Sequence, residues 1–396
     1  MKKNPLMYLL LAIGLMTVGQ LPAGIYLPSL VNMSEAFGVS TGEIQYVVGI
    51  YLMAYGGSQL IYGPLSDHYG RKPVAVGGLL LFAIGSIVSI FAGTFGMMNL
   101  GSLIQGLGLG SVAVISSALL RDLHDGKKLH ASISSLSAAV IVTPLAAPIV
   151  GSYLQKGFGW RADFVFLLLY GLIMLGLSLM YLQETNANVQ KGWLTPKQVL
   201  RNYATVMKTK SFLSYGFCRI LALSGGTAYA INAPLLFVHL LKLSPIAYAW
   251  VAVIPGSGFF IGSMIAKTLG KTHRLETVLL LGGLCLFMGS LSLLLLGLSL
   301  PLSIPMIVIP MLIYMCGNGI TFPTALTGAI LPLGALAGTA TAFIGSTQNL
   351  GRGFFSALLG SLHPQSVMPL AIMISILSSL CLLISGYQYF KAKVGV

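Results

Sequence analysis

Charged side chains are scarce in this sequence. They make up 8% of its 396 residues and only eight of them are acidic, whereas apolar residues account for 56%. The mean hydropathy is +0.89. A soluble domain carries about 25% charged residues, so a chain of this length has too few charges to keep its surface in water. The composition excludes an ordinary soluble domain and predicts an integral membrane protein covered by lipid.

Cysteines and long hydrophilic segments are also few. The four cysteines all fall inside predicted spans, where they are expected to pack as small residues rather than form disulfides or bind metal. No hydrophilic segment is long enough for a soluble catalytic or nucleotide-binding domain. No His, Asp or Glu cluster lies at membrane depth, as an intramembrane enzyme would need. We therefore predict a protein that is not an enzyme, with no cofactor and no metal.

Apolar runs of about 20 residues are present instead, and each such run is long enough to cross a bilayer. Most of the 22 lysines and arginines fall on the side that holds both termini, and only Lys156, Arg161 and Lys242 lie on the other. This bias predicts cytoplasmic termini in the cell inner membrane and needs no nucleic-acid partner. The twelve predicted spans lie near 5–28, 44–63, 74–93, 98–120, 132–154, 162–182, 212–237, 246–266, 276–298, 305–328, 338–360 and 368–390.

The longest hydrophilic stretch, residues 183–211, separates six spans from six spans. This spacing predicts an N-terminal six-helix half at 1–182, a cytoplasmic linker at 183–211 and a C-terminal six-helix half at 212–396. An axis along the membrane normal is expected to relate the halves around a central polar cavity. Within the linker, residues 196–207 have the pattern of an amphipathic surface helix, although a solvated linker explains them equally well.

The loop after the second span reads GPLSDHYGRKP from Gly63 to Pro73. Gly63 and Gly70 permit a tight reversal, and the loop is similar to the signature loop of the major facilitator superfamily. That resemblance implies a cytoplasmic latch between the two halves. Asp67 is expected to face the free amides near residues 338 and 339, and Arg71 to pair with Asp122. The alternative is a positive-inside turn with no gating role.

The fifth span contains Pro144, Pro148 and Gly151, which permit a bend and close helix contact. This segment is similar to the antiporter motif of proton-coupled drug exporters. Over nearly the whole chain, runs such as Tyr62-Gly63-Pro64, Gly159-Trp160-Arg161-Ala162 and Gln348-Asn349 resemble the Bcr/CflA-type drug:proton antiporters of the same superfamily. The resemblance implies outward drug transport driven by proton entry, with a small-molecule substrate and protons as the coupling ion.

Polar and aromatic side chains at membrane depth are the candidate substrate-binding residues. Arg352 is expected to line the cavity because exposing it to lipid would cost about 3 kcal/mol or more. Tyr51 and Tyr55 share a face and suit stacking against a substrate. Individually, most of these residues have the alternative role of interhelical contacts, and Arg352 that of capping carbonyls. The set is Gln20, Tyr51, Tyr55, Gln59, Gln105, Tyr229, Asn232, Tyr314, Asn318, Gln348, Asn349 and Arg352.

None of the eight acidic residues is predicted in the middle of a span, and Asp163 is placed at the periplasmic edge. We predict an all-α membrane protein of twelve helices that acts as a monomer and exports amphipathic organic molecules by alternating access. Because one or two arginines face no predicted central carboxylate, a carrier of an organic anion, such as a carboxylate metabolite or siderophore, is the alternative. A non-transporting receptor on the same fold also remains open.

Overall fold

Helices account for all the regular structure in the described part of the computed structural model, which covers residues 5–123, 126–185, 196–362 and 366–394. Long apolar runs in lipid must satisfy their own backbone hydrogen bonds, and a helix does so within one segment. Every predicted span coincides with a helix. The prediction of an all-α membrane fold is therefore confirmed.

The helices extend beyond the apolar runs that predicted them, because backbone hydrogen bonding continues after the hydrophobic stretch ends. In chain order they are α1 Pro5–Gln20, α2 Pro22–Ile25, α3 Leu30–Phe37, α4 Tyr46–Tyr69, α5 Arg71–Ile90, α6 Phe95–Leu123, α7 Gly126–Phe158, α8 Arg161–Tyr181, α9 Pro196–Lys208, α10 Lys210–Pro234, α11 Pro245–Leu269, α12 Leu275–Ser299, α13 Ile304–Ile330, α14 Ala337–Ser361 and α15 Met368–Val394. Short tight helices occupy Leu27–Ser29, Glu43–Gln45 and Leu331–Leu336, and a wide turn of π-helix occupies Leu235–Leu240.

Length and apolarity alone mark eight of the described helices as able to cross a membrane, or nine when a bent pair is counted as one span. Helices α4 and α14 do not meet this test. Both carry polar side chains along their length, including Gln59 on α4 and Gln348 and Arg352 on α14. Two helices that fail this test thus supply candidate binding residues.

The first predicted span is not a single straight helix. Its two parts, Leu6–Gln20 and Pro22–Phe37, meet at an angle of 42°. Pro22 lacks an amide hydrogen and its ring interferes with the preceding turn, so the helix bends there. Pro28 lies in the tight turn Leu27–Ser29 that follows, and the chain then remains helical as far as Phe37. The span predicted at 5–28 is therefore longer and broken.

The chain forms two compact units, Met1–Val39 with Val47–Val199, and Ser40–Tyr46 with Leu200–Val396. In the first unit, α5 packs against α6 and α8, while α1 packs against α6 and α7. In the second unit, α13 packs against α10, α11 and α12, and α10 also contacts α14 and α15. Each unit thus has its own helical core.

The distribution of side chains on these helices is inverted relative to a soluble protein. Along α8, Leu169, Ile173 and Met180 are 56%, 59% and 77% exposed, whereas Asp163 and Ser178 are fully buried. A soluble protein rarely exposes such a continuous apolar surface. The apolar face of α8 is therefore suited to contact with lipid, and its polar groups lie inside the helix packing.

Candidate functional site

Arg71 lies at the centre of a polar network in the first unit. Its Nη1 atom forms an ion pair with Asp67 Oδ1 at 2.6 Å and donates to Ser66 Oγ at 2.7 Å. Its Nε atom forms a second ion pair with Asp122 Oδ2 at 3.1 Å. The Arg71 side chain is only 10% exposed, whereas that of Asp67 is 66% exposed. The guanidinium group thus joins the end of α4 to the end of α6.

The turn that brings these groups together is shorter than the sequence predicts. Helix α4 continues through Gly63 and Pro64 to Tyr69, and α5 begins at Arg71. Gly63, expected to help form the reversal, lies inside α4 instead, where an added Cβ would meet nothing within 4 Å. The reversal is confined to Gly70, whose φ of 97° belongs to the region that favours glycine.

Glu184, just after α8, caps the first turn of α5. Its carboxylate accepts the backbone amide of Arg71 at 3.0 Å and that of Lys72 at 3.4 Å. The first amides of a helix have no partner within the helix, so an acceptor there stabilises it. A Cβ at Gly70 would come within 2.8 Å of the Glu184 carboxyl carbon. Gly70 is therefore needed both for its φ and for the space that this carboxylate occupies.

The end of α8 and the segment after it make two further bonds to the same network. Thr185 Oγ1 donates to Asp122 Oδ2 at 2.8 Å. Lys72 Nζ donates to the carbonyl of Leu179 at 2.8 Å. Asp122 therefore accepts from both Arg71 and Thr185. As a result, the ends of α4, α6 and α8 are all bonded to the start of α5.

The predicted aromatic pair on α4 is buried and faces α1. The rings of Tyr51 and Tyr55 stack with centroids 5.7 Å apart. The Tyr51 hydroxyl donates to the carbonyl of Gly19 at 2.8 Å, next to the half-buried Gln20. Gln59 lies one turn further along α4 and is 6% exposed. In the first unit, four candidate residues therefore lie along α4 and the end of α1.

Gln105 on α6 is also a predicted binding residue, and it is fully buried. Its Nε2 atom donates to Ser86 Oγ on α5 at 2.9 Å. Its Oε1 atom has no hydrogen-bond partner among the described residues. Gln105 thus bonds α6 to α5, as the interhelical alternative predicts, and its role in binding stays a prediction.

The proline-containing helix α7 packs against the broken first span. A Cβ at Gly24 on α2 would lie 3.1 Å from Ala147 Cβ and 3.7 Å from Pro148 Cδ. A Cβ at Gly151 would overlap the carbonyl oxygen of Ile25. Pro144 and Pro148 lie inside α7, which remains continuous from Gly126 to Phe158. The three predicted bend residues are therefore on the part of α7 that contacts α2.

In the second unit, Arg219 is 4% exposed and bonds α10 to α14. Its Nε atom donates to Gln348 Oε1 at 2.6 Å, and its Nη1 atom donates to the carbonyl of Phe322. The guanidinium carbon also lies 3.7 Å from the centre of the Phe322 ring. These partners are all neutral.

Arg352 is half-buried and makes a second bond between the same two helices. Its Nε atom donates to Thr227 Oγ1 on α10 at 2.7 Å, and its Nη1 atom donates to Asn349 Oδ1 at 2.9 Å. Asn349 Nδ2 in turn donates to the carbonyl of Gly345 at 2.9 Å. Arg219 and Arg352 therefore hold α10 against α14 at two levels, with Gln348 and Asn349 as their partners on α14.

The other candidate residues of the second unit lie on α10 and α13. Tyr314 donates to the carbonyl of Ala222 at 3.4 Å. By contrast, several buried polar atoms have no hydrogen-bond partner among the described residues: the Tyr229 hydroxyl, both side-chain polar atoms of Asn232, and Asn318 Oδ1. Buried polar groups are rarely left unsatisfied. These atoms are therefore suited to a polar ligand or to water.

A model of the Major Facilitator Superfamily matches residues 9–356, which is most of the chain. This protein belongs to the Major Facilitator Superfamily. Members of that family are multi-pass membrane transporters. The predicted resemblance is confirmed at this level.

Two relatives match over almost their whole length. Multidrug resistance protein D of Escherichia coli strain K12 is 30% identical over 359 residues, covering 90% of this chain and 89% of that protein. A bicyclomycin resistance protein homologue of Haemophilus influenzae is 27% identical and covers 93% of this chain and 92% of that protein. This superfamily member is therefore similar to proteins named for resistance to drugs.

Solved structures show the same fold at much lower identity. The crystal structure of a D-xylose-proton symporter has a TM-score of 0.74 at 16% identity and covers 96% of each chain. The xylose transporter XylE from E. coli has a TM-score of 0.73 at 14% identity and covers 97% of each chain. At these identities the likeness establishes the major facilitator fold alone.

Several polar residues were not selected as site residues from the sequence. Glu184 is not among the predicted site residues, although it caps α5. Asp163 was assigned to the periplasmic edge, yet it is fully buried. Thr227 was not singled out, although it accepts from Arg352. The signal available for Asp163 and Glu184 was their rarity, since the chain has only eight acidic residues.

Proposed function

We propose that this protein exports amphipathic small organic molecules from the cytoplasm by alternating access, with proton entry as the driving force. The observation that carries the proposal is the similarity to Multidrug resistance protein D, which extends over 90% of the chain. The bicyclomycin resistance homologue adds support because it matches over 93%. The protein would act as a monomer in the cell inner membrane, with both termini in the cytoplasm.

The side chains of each unit support an amphipathic substrate. The first unit supplies the stacked rings of Tyr51 and Tyr55, which suit an aromatic or cationic group. The second unit supplies buried polar atoms of Tyr229 and Asn232 that have no hydrogen-bond partner among the described residues. Aromatic stacking and polar contacts are the kinds of interaction that an amphipathic substrate requires.

The network around Arg71 would serve as the gate. Arg71 holds Asp67 and Asp122 in one cluster, and Glu184 fixes the helix start that carries Arg71. The Asp67 side chain stays 66% exposed. Its carboxylate is therefore able to accept hydrogen bonds from the free amides of a helix N-terminus during the transport cycle, as the family resemblance implies.

Transport in proteoliposomes with an imposed pH gradient tests the proposal. A permanently charged lipophilic cation should accumulate inside vesicles whose interior is acidic, because protons leaving would drive it in. A protonophore should abolish the accumulation, and protein-free vesicles should show none. Accumulation of a tricarboxylate alone would contradict the proposal and favour the organic-anion carrier, which the buried Arg219 and the half-buried Arg352 motivate.

A further inference from the structure

Asp163 is the one acidic residue in the described chain that is fully buried. It lies in the first turn of α8, and its Oδ2 atom accepts a hydrogen bond from Ser29 Oγ at 2.6 Å. Its Oδ1 atom has no hydrogen-bond partner among the described residues. An acidic side chain within an apolar span is costly, and such residues commonly carry protons or ligands.

No cation among the described residues neutralises this carboxyl group. Arg161, two residues earlier, donates to the carbonyls of Ile90 and Ala92. Lys156 on α7 is exposed. Tyr26, which follows α2, stacks its ring on that of Phe164, the residue after Asp163, with the ring centroids 5.2 Å apart.

The two other packing neighbours of α8 place their ionisable groups at the opposite end. On α5, Arg71 and Lys72 begin the helix, whereas Asp163 lies near the end marked by Ile90. On α1, the Tyr8 hydroxyl accepts from the amide of Gln183, beyond the far end of α8. The described partners at this position are therefore the Ser29 hydroxyl, which donates to Asp163, and the Tyr26 ring, which stacks on the neighbouring Phe164.

Two opposing effects act on the charge of Asp163. Burial in an apolar environment favours the neutral acid, because a carboxylate loses its hydration there. The Ser29 hydroxyl and the N-terminus of α8 favour the anion. A carboxyl group held between these effects is suited to binding and releasing a proton. The unpartnered Oδ1 atom is available to receive that proton.

We infer that Asp163 is a proton-binding group of this transporter, taking up one proton at Oδ1 and releasing it when the substrate binds. An O–H bond forms as the carboxylate changes from a charge of −1 to neutral, and the same bond breaks on release, with water as the source and acceptor of the proton. The inference rests on the proposed proton antiport, and it adds a residue that the chain-wide similarity does not assign.

The broken first span offers a route from Asp163 to the candidate binding residues. Ser29 lies within the segment Pro22–Phe37 that follows the bend, and Gly19, which accepts from Tyr51, lies just before the bend. A hydrogen bond to a charged acceptor is roughly twice as strong as one to a neutral acceptor. Protonation of Asp163 would therefore loosen the Ser29 contact and let the segment shift relative to α4.

Proton release measured on substrate binding tests the inference. The purified protein, in weakly buffered detergent solution with a pH-sensitive dye, is mixed with a permanently charged lipophilic cation, and binding is measured in the same sample. Wild type is expected to release protons, Asp163→Asn at least tenfold fewer, and Asp163→Glu an amount close to wild type. Glu35→Gln, at an exposed carboxylate on α3, is the control and should match wild type.

A second measurement avoids dependence on a variant that does not fold. In wild-type protein with isotope-labelled aspartate, the substrate-induced infrared difference spectrum should show loss of the C=O band of a protonated aspartic acid. Absence of that loss would overturn the inference, as would undiminished proton release by Asp163→Asn. If wild type binds the cation but releases no proton, the proposed antiport itself fails. Release by both wild type and Asp163→Asn refutes only the role of Asp163.

Discussion

The carboxylate of Glu184 accepts a hydrogen bond from the backbone amide of Arg71, 113 residues earlier in the chain. The same residue, Arg71, uses its side chain to pair with Asp67 and Asp122. Backbone and side chain of one arginine are thus held by three acids from three parts of the first unit. The position of the guanidinium therefore depends on a helix cap as well as on its ion pairs.

Replacing Glu184 should destabilise the first unit. Glu184→Ala removes the acceptor for two free amides and is expected to lower the free energy of unfolding by about 0.5–2 kcal/mol. Glu184→Gln keeps an acceptor but loses the charge that favours a helix N-terminus, so a loss of about 0.3–1 kcal/mol is expected. Thermal unfolding in detergent measures both. Gln183→Ala, at an exposed neighbouring side chain, is the control and should unfold like wild type.

Asp67→Asn should reduce transport while expression and folding are preserved. The side chain is 66% exposed, so its ion pair contributes at most about 1 kcal/mol to stability. Loss of its charge removes the attraction to a helix N-terminus on which the proposed gate depends. Initial rates of cation uptake in proteoliposomes provide the measurement. A rate equal to that of wild type would show that this segment is a turn with no gating role.

Gly151→Ala should damage the packing of α7 against the broken first span. An added Cβ overlaps the carbonyl oxygen of Ile25, and forcing extra volume into packed helices typically costs about 1–3 kcal/mol. Gly157→Ala, in the same helix with nothing within 4 Å of an added Cβ, is the matched control. Because alanine favours a helix by about 1 kcal/mol over glycine, the control should be neutral or stabilised. Equal unfolding temperatures for the two variants would refute the close contact.

Arg352→Gln distinguishes the exporter from the organic-anion carrier. A positive charge at membrane depth attracts anions strongly, because a low dielectric amplifies the interaction. An anion carrier should lose about 1.5–3 kcal/mol, or roughly ten- to a hundred-fold in affinity. An exporter of lipophilic cations should show equal or higher transport. Thr227→Ala removes a hydrogen-bond partner of Arg352 but keeps the charge. It therefore separates the effect of losing that hydrogen bond from the effect of losing the charge. A loss confined to the anion would overturn the proposal.

Labelling of introduced cysteines tests the proposed orientation. In intact cells, an impermeant thiol reagent should react with Glu35→Cys, Lys156→Cys and Lys242→Cys. It should not react with Asp125→Cys, Lys191→Cys and Thr272→Cys until the membrane is permeabilised. Wild type, whose four cysteines are buried or partly buried, provides the background. The reverse labelling pattern would place both termini outside the cytoplasm.

The membrane class, the helical fold and the superfamily were all predictable from the sequence, and they are confirmed. They depend on composition, on the length of apolar runs and on a local motif, all of which are properties of neighbouring residues. The pairing of Arg71 with Asp122 was also foreseen, because both lie at the ends of predicted spans and have opposite charge. The binding roles of Gln105, Tyr229 and the other candidate residues stay predictions.

The sequence by itself determined that this chain lies in a membrane, because so few charges cannot solvate it and so many apolar runs can cross a bilayer. Only the tertiary structure decided which rare polar groups meet. Ser29 and Asp163 are 134 residues apart, and Arg71 and Glu184 are 113 apart. No local pattern encodes such pairs, since each depends on how separate helices bend and pack. The break at Pro22 brings Ser29 to Asp163, and the turn at Gly70 leaves space for Glu184.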